Sequence, residues 1–228
     1  MKAVIFDFDG LMVDTEVPEY ESWREVYRQF GLDLALERWV ECIGTSSDAF
    51  DPLAHLEELL GRPVEREKVL ATKRQRYLDW VHSQPLLPGV AERIEEARAM
   101  GLKLGVASSS SRDWVESHLA RHDILHHFDC IRTRDDVCAV KPSPELFLSV
   151  ATALAVPPAG CLVFEDSAHG VLAAKRAGMY CVAVPNTLTR ILDLSLADLQ
   201  VPSLAAISLP ELLERVCSDP KVKRDEEG

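Results

Sequence analysis

Basic residues are scarce in this chain: 25 Lys+Arg stand against 37 Asp+Glu in 228 residues, for a formal net charge of -12. Without a sequence-wide basic footprint, general binding to nucleic acid and anchoring to an anionic membrane surface are disfavoured. Paired cysteines are missing as well. Cys42, Cys130, Cys138, Cys161, Cys181 and Cys217 form no CxxC and no close spacing, which suits buried free thiols in a reducing compartment. Long apolar runs are absent too: Ala3-Val4-Ile5-Phe6 stops at Asp7, too short for a signal peptide, and no later stretch approaches a membrane span. The expectation is a soluble cytoplasmic protein. There is no internal repeat and no low-complexity core segment, and residues 221–228 read as a charged, frayed tail. What remains is a chain with 47% apolar residues, able to bury a real core as one large domain or two small ones.

Short apolar runs of strand length recur at 3–6, 102–107, 129–133, 161–164 and 180–184. Between the later ones, residues 90–100, 112–121, 144–155 and 167–177 carry apolar positions at three- and four-residue spacing, with Gly101 and Gly178 where helix C-caps belong. This alternation predicts an α/β fold: a Rossmann-like parallel sheet core with helices on both faces. Residues 15–85 break the rhythm with helical patterns at 17–30, 49–60 and 65–81 and no convincing strand, which predicts an inserted helical cap domain. The core then comprises 1–14 and 86–228, and a cap over a sheet edge is a device for excluding water.

In open parallel sheets, ligands bind beyond the carboxyl ends of the strands. The first strand ends in Asp7-Phe8-Asp9-Gly10, the second in a run from Ser108 to Ser111 and the fourth in Glu165-Asp166, while Lys141-Pro142 precedes another helix. Alone, Asp7 and Asp9 could be a solvated turn, Glu165-Asp166 a helix start wanting acids, and Lys141 a surface lysine. Together, four carboxylates and one lysine sum to -3, a charge that repels an anionic substrate. A divalent cation and one protonated carboxylate would neutralise the set, and all-oxygen ligands point to Mg²⁺. The cation, Lys141 and a serine hydroxyl could then clamp a phosphoryl group while a carboxylate attacks it.

The stretch from Asp7 to Glu16, then Val106-Ala107-Ser108, Lys141-Pro142 and Phe164-Glu165-Asp166-Ser167, resembles the four motifs of the haloacid dehalogenase superfamily, in its phosphatase and β-phosphoglucomutase-like branch with a helical cap. The resemblance implies that Asp7 is the nucleophile and Asp9 the general acid and base. It implies phosphate binding by Ser108, Ser109 and Lys141, and Mg²⁺ binding by Asp7, Asp9 through its backbone carbonyl, Asp166 and Glu165. In the cap it points to Glu19, Thr45, Ser47 and Lys73 as substrate contacts. Ser47 stands where mutases commonly present an arginine, and Glu19 where a histidine is often found. Both departures favour hydrolysis of a small phosphorylated metabolite by a monomer over sugar-phosphate isomerisation.

Two other classes are disfavoured by the residues. A signalling receiver domain also groups acids, Ser/Thr and Lys-Pro, but carries its phospho-acceptor on a middle strand, where this chain has Ser108. A catalytically idle binding protein has no need of the full acidic set. His118, His122, His126 and His127 lack the glutamate of a zinc-protease motif and read as a solvated helix end, and Trp23, Trp39, Trp80 and Trp114 as core or interface fillers.

Overall fold

The computed structural model describes residues 1–39 and 50–218. The strands are β1 (Ala3–Phe6), β2 (Lys103–Ala107), β3 (Cys130–Arg132), β4 (Cys161–Glu165), β5 (Tyr180–Ala183) and β6 (Leu199–Gln200). Successive residues of a strand face opposite sides, and here both sides are buried. Val4 and Phe6 pack with Leu104, Val106, Leu162, Phe164 and Val182, whereas Ala3 and Ile5 pack with Cys161, Val163, Cys181 and Ala183. That double burial explains why the strands read as continuous apolar runs. All pairings are parallel, in the order β3-β2-β1-β4-β5-β6.

Between β1 and β2 the chain forms α1 (Glu16–Gln29), α2 (Leu36–Trp39), α3 (Pro52–Leu60), α4 (Arg66–Val81) and α5 (Val90–Ala99). The first four enclose a core of their own, built on Tyr20, Trp23, Val26, Tyr27, Leu34, Trp39, Leu53, Leu56 and Val69. The chain leaves the sheet and returns to it at one place: Val13 forms an antiparallel bridge with Leu86, and Leu87 N–H donates to Met12 O at 2.9 Å. Then follow α6 (Arg112–Arg121), α7 (Glu145–Ala153), α8 (Ala168–Arg176) and α9 (Leu209–Ser218). Residues of α5, α6 and α9 cover one face of the sheet and those of α7 and α8 the other. Among the described residues no helix is long and apolar enough to cross a membrane.

Three elements were not anticipated. Two-residue β6 and four-residue α2 are too short to show a period, whereas α9, which buries Leu209, Leu212 and Val216 at helical spacing, follows a start signal that the sequence does carry: Ser208 Oγ accepts the N–H of Glu211 at 3.3 Å, with Pro210 between them. The helix predicted over 49–60 starts at Pro52 because the Asp51 carboxylate accepts the N–H groups of Leu53 and Ala54. Burial of the thiols holds for Cys161 and Cys181, but Cys138 and Cys217 are exposed, and Cys42 lies outside the described residues. Trp80 fills no core either, being 40% exposed. The reading of His118 as solvated also fails: it is buried between Phe8, Trp114 and His82.

The carboxyl-terminal segment is held by a buried charge. Arg93 of α5 donates from Nη1 to the carbonyls of Leu204 and Ile207 and from Nη2 to Glu96 at 2.8 Å, while Glu96 accepts the N–H of Leu209 at 2.7 Å. Substituting Arg93→Met would strand two buried carbonyls and free Glu96, so it should destabilise the fold by about 2–4 kcal/mol. A lowered midpoint of urea unfolding would register the loss, and an unchanged midpoint would contradict it.

Candidate active site

Phe6 pairs with Phe164, so the residues that follow β1 and end β4 are neighbours. This is where the strand order reverses, the place at which an open parallel sheet leaves a crevice. Asp7 enters it from β1, and Glu165 and Asp166 from β4. Ser108 follows β2, and Lys141 arrives from the loop ahead of α7.

Lys141 is the hub. Its Nζ donates to Asp7 Oδ1 and, at 2.6 Å, to Glu165 Oε1, and its side chain is 6% exposed. Glu165 is fully buried, and its Oε2 accepts Asp166 N–H at 3.0 Å, Ser167 N–H at 3.1 Å and Ser167 Oγ–H at 3.0 Å. Glycine is needed beside it, because a Cβ at Gly170 of α8 would lie 1.8 Å from the Glu165 carboxyl. Gly10, at φ +77°, likewise lets the chain turn where a Cβ would meet Asp166 Oδ2 at 2.4 Å. Asn186 Nδ2 donates to Asp166 Oδ2 at 2.7 Å and to Gly10 O at 3.2 Å, while its Oδ1 accepts the N–H groups of Leu188 and Thr189.

The charges are unbalanced. Burial pushes the Asp7 carboxyl up to about 8, opposed by Lys141 and reinforced by Glu165 and Asp9. Burial, then Asp7 and Glu165, holds Asp166 well above the ordinary carboxylate range. For Lys141 burial favours the neutral amine, but Asp7 and Glu165 outweigh it and the ammonium is held above its usual value. Oxygen atoms of Asp7, Glu165 and Asp166 all lie within 4.8 Å of one another. A buried all-oxygen cluster with surplus negative charge fits a hard divalent cation.

Asp9 is held differently. Its Oδ2 accepts Ser110 Oγ–H at 2.7 Å and Ser108 Oγ–H at 3.3 Å, and its Oδ1 accepts the indole N–H of Trp114 at 2.9 Å. Asp7, Asp9, Lys141 and Asp166 line a cavity of about 420 Å³, with Ser109 and Ser110 beside them. Thr15, Glu16, Glu19, Trp39 and Tyr77 contribute from the helical insertion. Glu19 is paired with Lys73, whose Nζ lies 4.8 Å from the Tyr77 ring centroid. Burial, with help from Asp9, Glu19 and Asp14, pushes Glu16 up to about 7. A larger cavity of about 670 Å³ lies across Gly10 and Asn186, but Asp14 and Arg190 are its only ionisable lining residues.

The structure therefore brings together Asp7, Asp9, Ser108, Lys141, Glu165 and Asp166, places Ser109 in the cavity wall, and places Glu19 and Lys73 across from them. Thr45 and Ser47 lie outside the described residues. Sequence reasoning missed Ser110, Trp114, Glu16 and Asn186. Asn186 could have been found, because it follows β5 by three positions and polar residues at strand carboxyl ends are suspect. Trp114 gave no signal to set it apart from three other tryptophans.

Known proteins resemble this chain along most of its length. Residues 4–184 match the family model of haloacid dehalogenase-like hydrolases. The chain is 44% identical over 218 residues to YhcW of Bacillus subtilis (strain 168), provisionally named a phosphatase, covering 96% of this chain and 99% of that one. It is 30% identical over 214 residues to hexitol phosphatase B of Escherichia coli (strain K12), covering 92% and 96%. A Thermotoga maritima crystal structure, provisionally named a β-phosphoglucomutase, superposes with a TM-score of 0.77 at 29% identity, covering 95% of this chain and all of that one.

The raised carboxyls predict a pH-dependent response to cations. Without metal, Asp7 with a folded value of about 8 against 3.8 in the unfolded chain is a liability: the stability present below pH 4 is lost as pH rises towards 8. A bound divalent cation needs the ionised form, so it removes this loss. The rise in melting temperature on adding Mg²⁺ to EDTA-treated protein should be larger at pH 8 than at pH 5.5. Equal shifts, or a larger one at pH 5.5, would refute the link.

Proposed function

The chain belongs to the haloacid dehalogenase-like hydrolases, and from that premise we propose that it hydrolyses a small phosphorylated metabolite, a sugar phosphate or close analogue, through an aspartyl-phosphate. The observation that carries the reading is the pairing of Asp7 and Asp9 on one cavity, the first bound to a buried lysine and the second held by two hydroxyls and an indole. The names of two curated relatives, a provisionally named phosphatase and a hexitol phosphatase, support it.

In this reading Asp7 attacks phosphorus, forming the phosphorus–oxygen bond to its carboxylate as the bond to the leaving oxygen breaks. Asp9 gives its proton to that oxygen, and the alcohol departs. Asp9 then takes a proton from water as the water oxygen attacks phosphorus, the bond to Asp7 breaks and inorganic phosphate is released. Ser108 and Lys141 hold the phosphoryl oxygens, with Ser109 beside them. Asp7, Asp166, the Asp9 backbone carbonyl and Glu165 would hold Mg²⁺. When bound, the ion offsets the surplus negative charge of the site and polarises the phosphoryl group. Residues 15–85 form the cap, whose Glu19 and Lys73 meet the leaving group, and residues 1–14 and 86–228 form the core. The bridge between Val13 and Leu86 supports those limits.

The likeness to the β-phosphoglucomutase-named structure favours one second reading, phosphoryl transfer within a sugar phosphate. Both are tested by phosphate release from phosphorylated sugars, hexitols, nucleotides and p-nitrophenyl phosphate, with Mg²⁺ or EDTA. Hydrolysis predicts Mg²⁺-dependent release, lost by at least about a thousandfold in Asp7→Asn. Conversion of β-glucose 1-phosphate to glucose 6-phosphate faster than phosphate release would establish the mutase instead, and release unaffected by Asp7→Asn would refute the nucleophile.

A further inference from the structure

Trp114 belongs to α6 and Tyr77 to α4, so one comes from the sheet layer and the other from the helical insertion. Their rings stack, with centroids 5.7 Å apart and planes at 16°. The indole N–H of Trp114 meanwhile donates to Asp9 Oδ1 at 2.9 Å. An indole N–H can only donate, whereas Ser108 and Ser110 on Oδ2 carry hydroxyls that rotate and also accept. Among the described residues the indole is thus the one donor on Asp9 whose direction is set by a rigid ring. That ring is seated from behind: His118 lies 4.1 Å away, centroid to centroid, buried against Phe8 at 5.7 Å, and its Nδ1 is 2.8 Å from Trp114 O. On the other side Tyr77 is itself covered by the Lys73 ammonium.

We propose that Trp114 is a positioning residue for the general acid, fixing the plane of the Asp9 carboxylate, and that the Tyr77 stack makes this alignment depend on α4 being seated against the sheet layer. The inference rests on the phosphatase reading and adds a pathway within it: Tyr77 steadies the Trp114 ring, Trp114 orients Asp9, and Asp9 passes its proton to the leaving oxygen as the bond from that oxygen to phosphorus breaks. Without Tyr77 the carboxylate would still be present but no longer be oriented from the insertion side. Small errors of orientation weigh heavily on proton transfer.

Leaving groups separate this role from a structural one. A sugar alkoxide must be protonated to depart, whereas p-nitrophenolate departs unaided. For Trp114→Phe, which keeps a ring but loses the N–H, the ratio of kcat/KM on the panel's fastest sugar phosphate to kcat/KM on p-nitrophenyl phosphate, which reports only the steps up to departure of the leaving group, should fall at least about tenfold. Tyr77→Ala should lower the same ratio, Tyr77→Phe should recover most of it, and adding Tyr77→Ala to Trp114→Phe should cost little more than Trp114→Phe alone. An unchanged ratio in Trp114→Phe, with kcat/KM falling equally on both substrates or on neither, would overturn the proposal. Should Trp114→Phe fail to fold, the contrast between Tyr77→Ala and Tyr77→Phe decides it, an equal ratio in the two overturning it. A wild type inert on every probe would instead overturn the phosphatase reading, and this inference with it.

Discussion

Lys141 sits between Asp7 and Glu165, and the negative charge it leaves uncompensated governs what surrounds it. Buried carboxylates at such spacing repel one another and resist ionisation, so each must be bound, screened or protonated. The fold answers with donors aimed at particular oxygens. Backbone N–H groups at the start of α8 take one oxygen of Glu165, Asn186 takes one of Asp166, and Trp114 with two serines takes Asp9. Glycines at 10 and 170 are the steric counterpart of the same demand, because the backbone must come close enough to serve the carboxylates. The outcome is a site whose carboxylates are oriented by the protein's own donors, the arrangement that electrostatic preorganisation requires.

The fold was legible in the sequence where burial on both faces made strands continuous and where helices carried a full period. Alternation and handedness imply a parallel sheet with right-handed crossovers but leave the strand order to the structure, and five of the six described strands were evident as apolar runs. β6 was invisible because two residues carry no period. In the site, Asp7, Asp9, Glu165 and Asp166 were legible because each lies next to a strand in the sequence, so that local pattern alone places it at the crevice. Lys141 became legible through its place before Pro142 and among the acids. Trp114 and Tyr77 were not legible at all. Their significance arises from the contact of two helices separated by a helix and a strand, and nothing in the spacing of either residue announces a partner on the other. Ser110 illustrates an intermediate case: the serine run was evident, but which hydroxyls face Asp9 depends on the turn the backbone makes after β2.

The two walls of the cavity differ in kind. The wall built from the sheet is committed to charge, with every carboxylate tied to a fixed donor. The wall built from the insertion is aromatic and acidic, with Trp39 and Tyr77 beside Glu16 and Glu19, and its lysine is already joined to Glu19. Chemistry common to a broad family can reside in the first wall while discrimination resides in the second.

That division is made practicable by the way the chain crosses between the layers. Outgoing and returning segments run side by side at Val13 and Leu86, so the ends of the intervening stretch stay together whatever lies between them. Lengthening, shortening or reshaping that stretch need not disturb the strand register beneath it, since the loop is closed at its neck rather than along its course. The sheet with its carboxylates is thus a fixed socket. Over evolutionary time, different helical inserts could be fitted to it at one junction, each bringing its own substrate preference to an unaltered reaction centre.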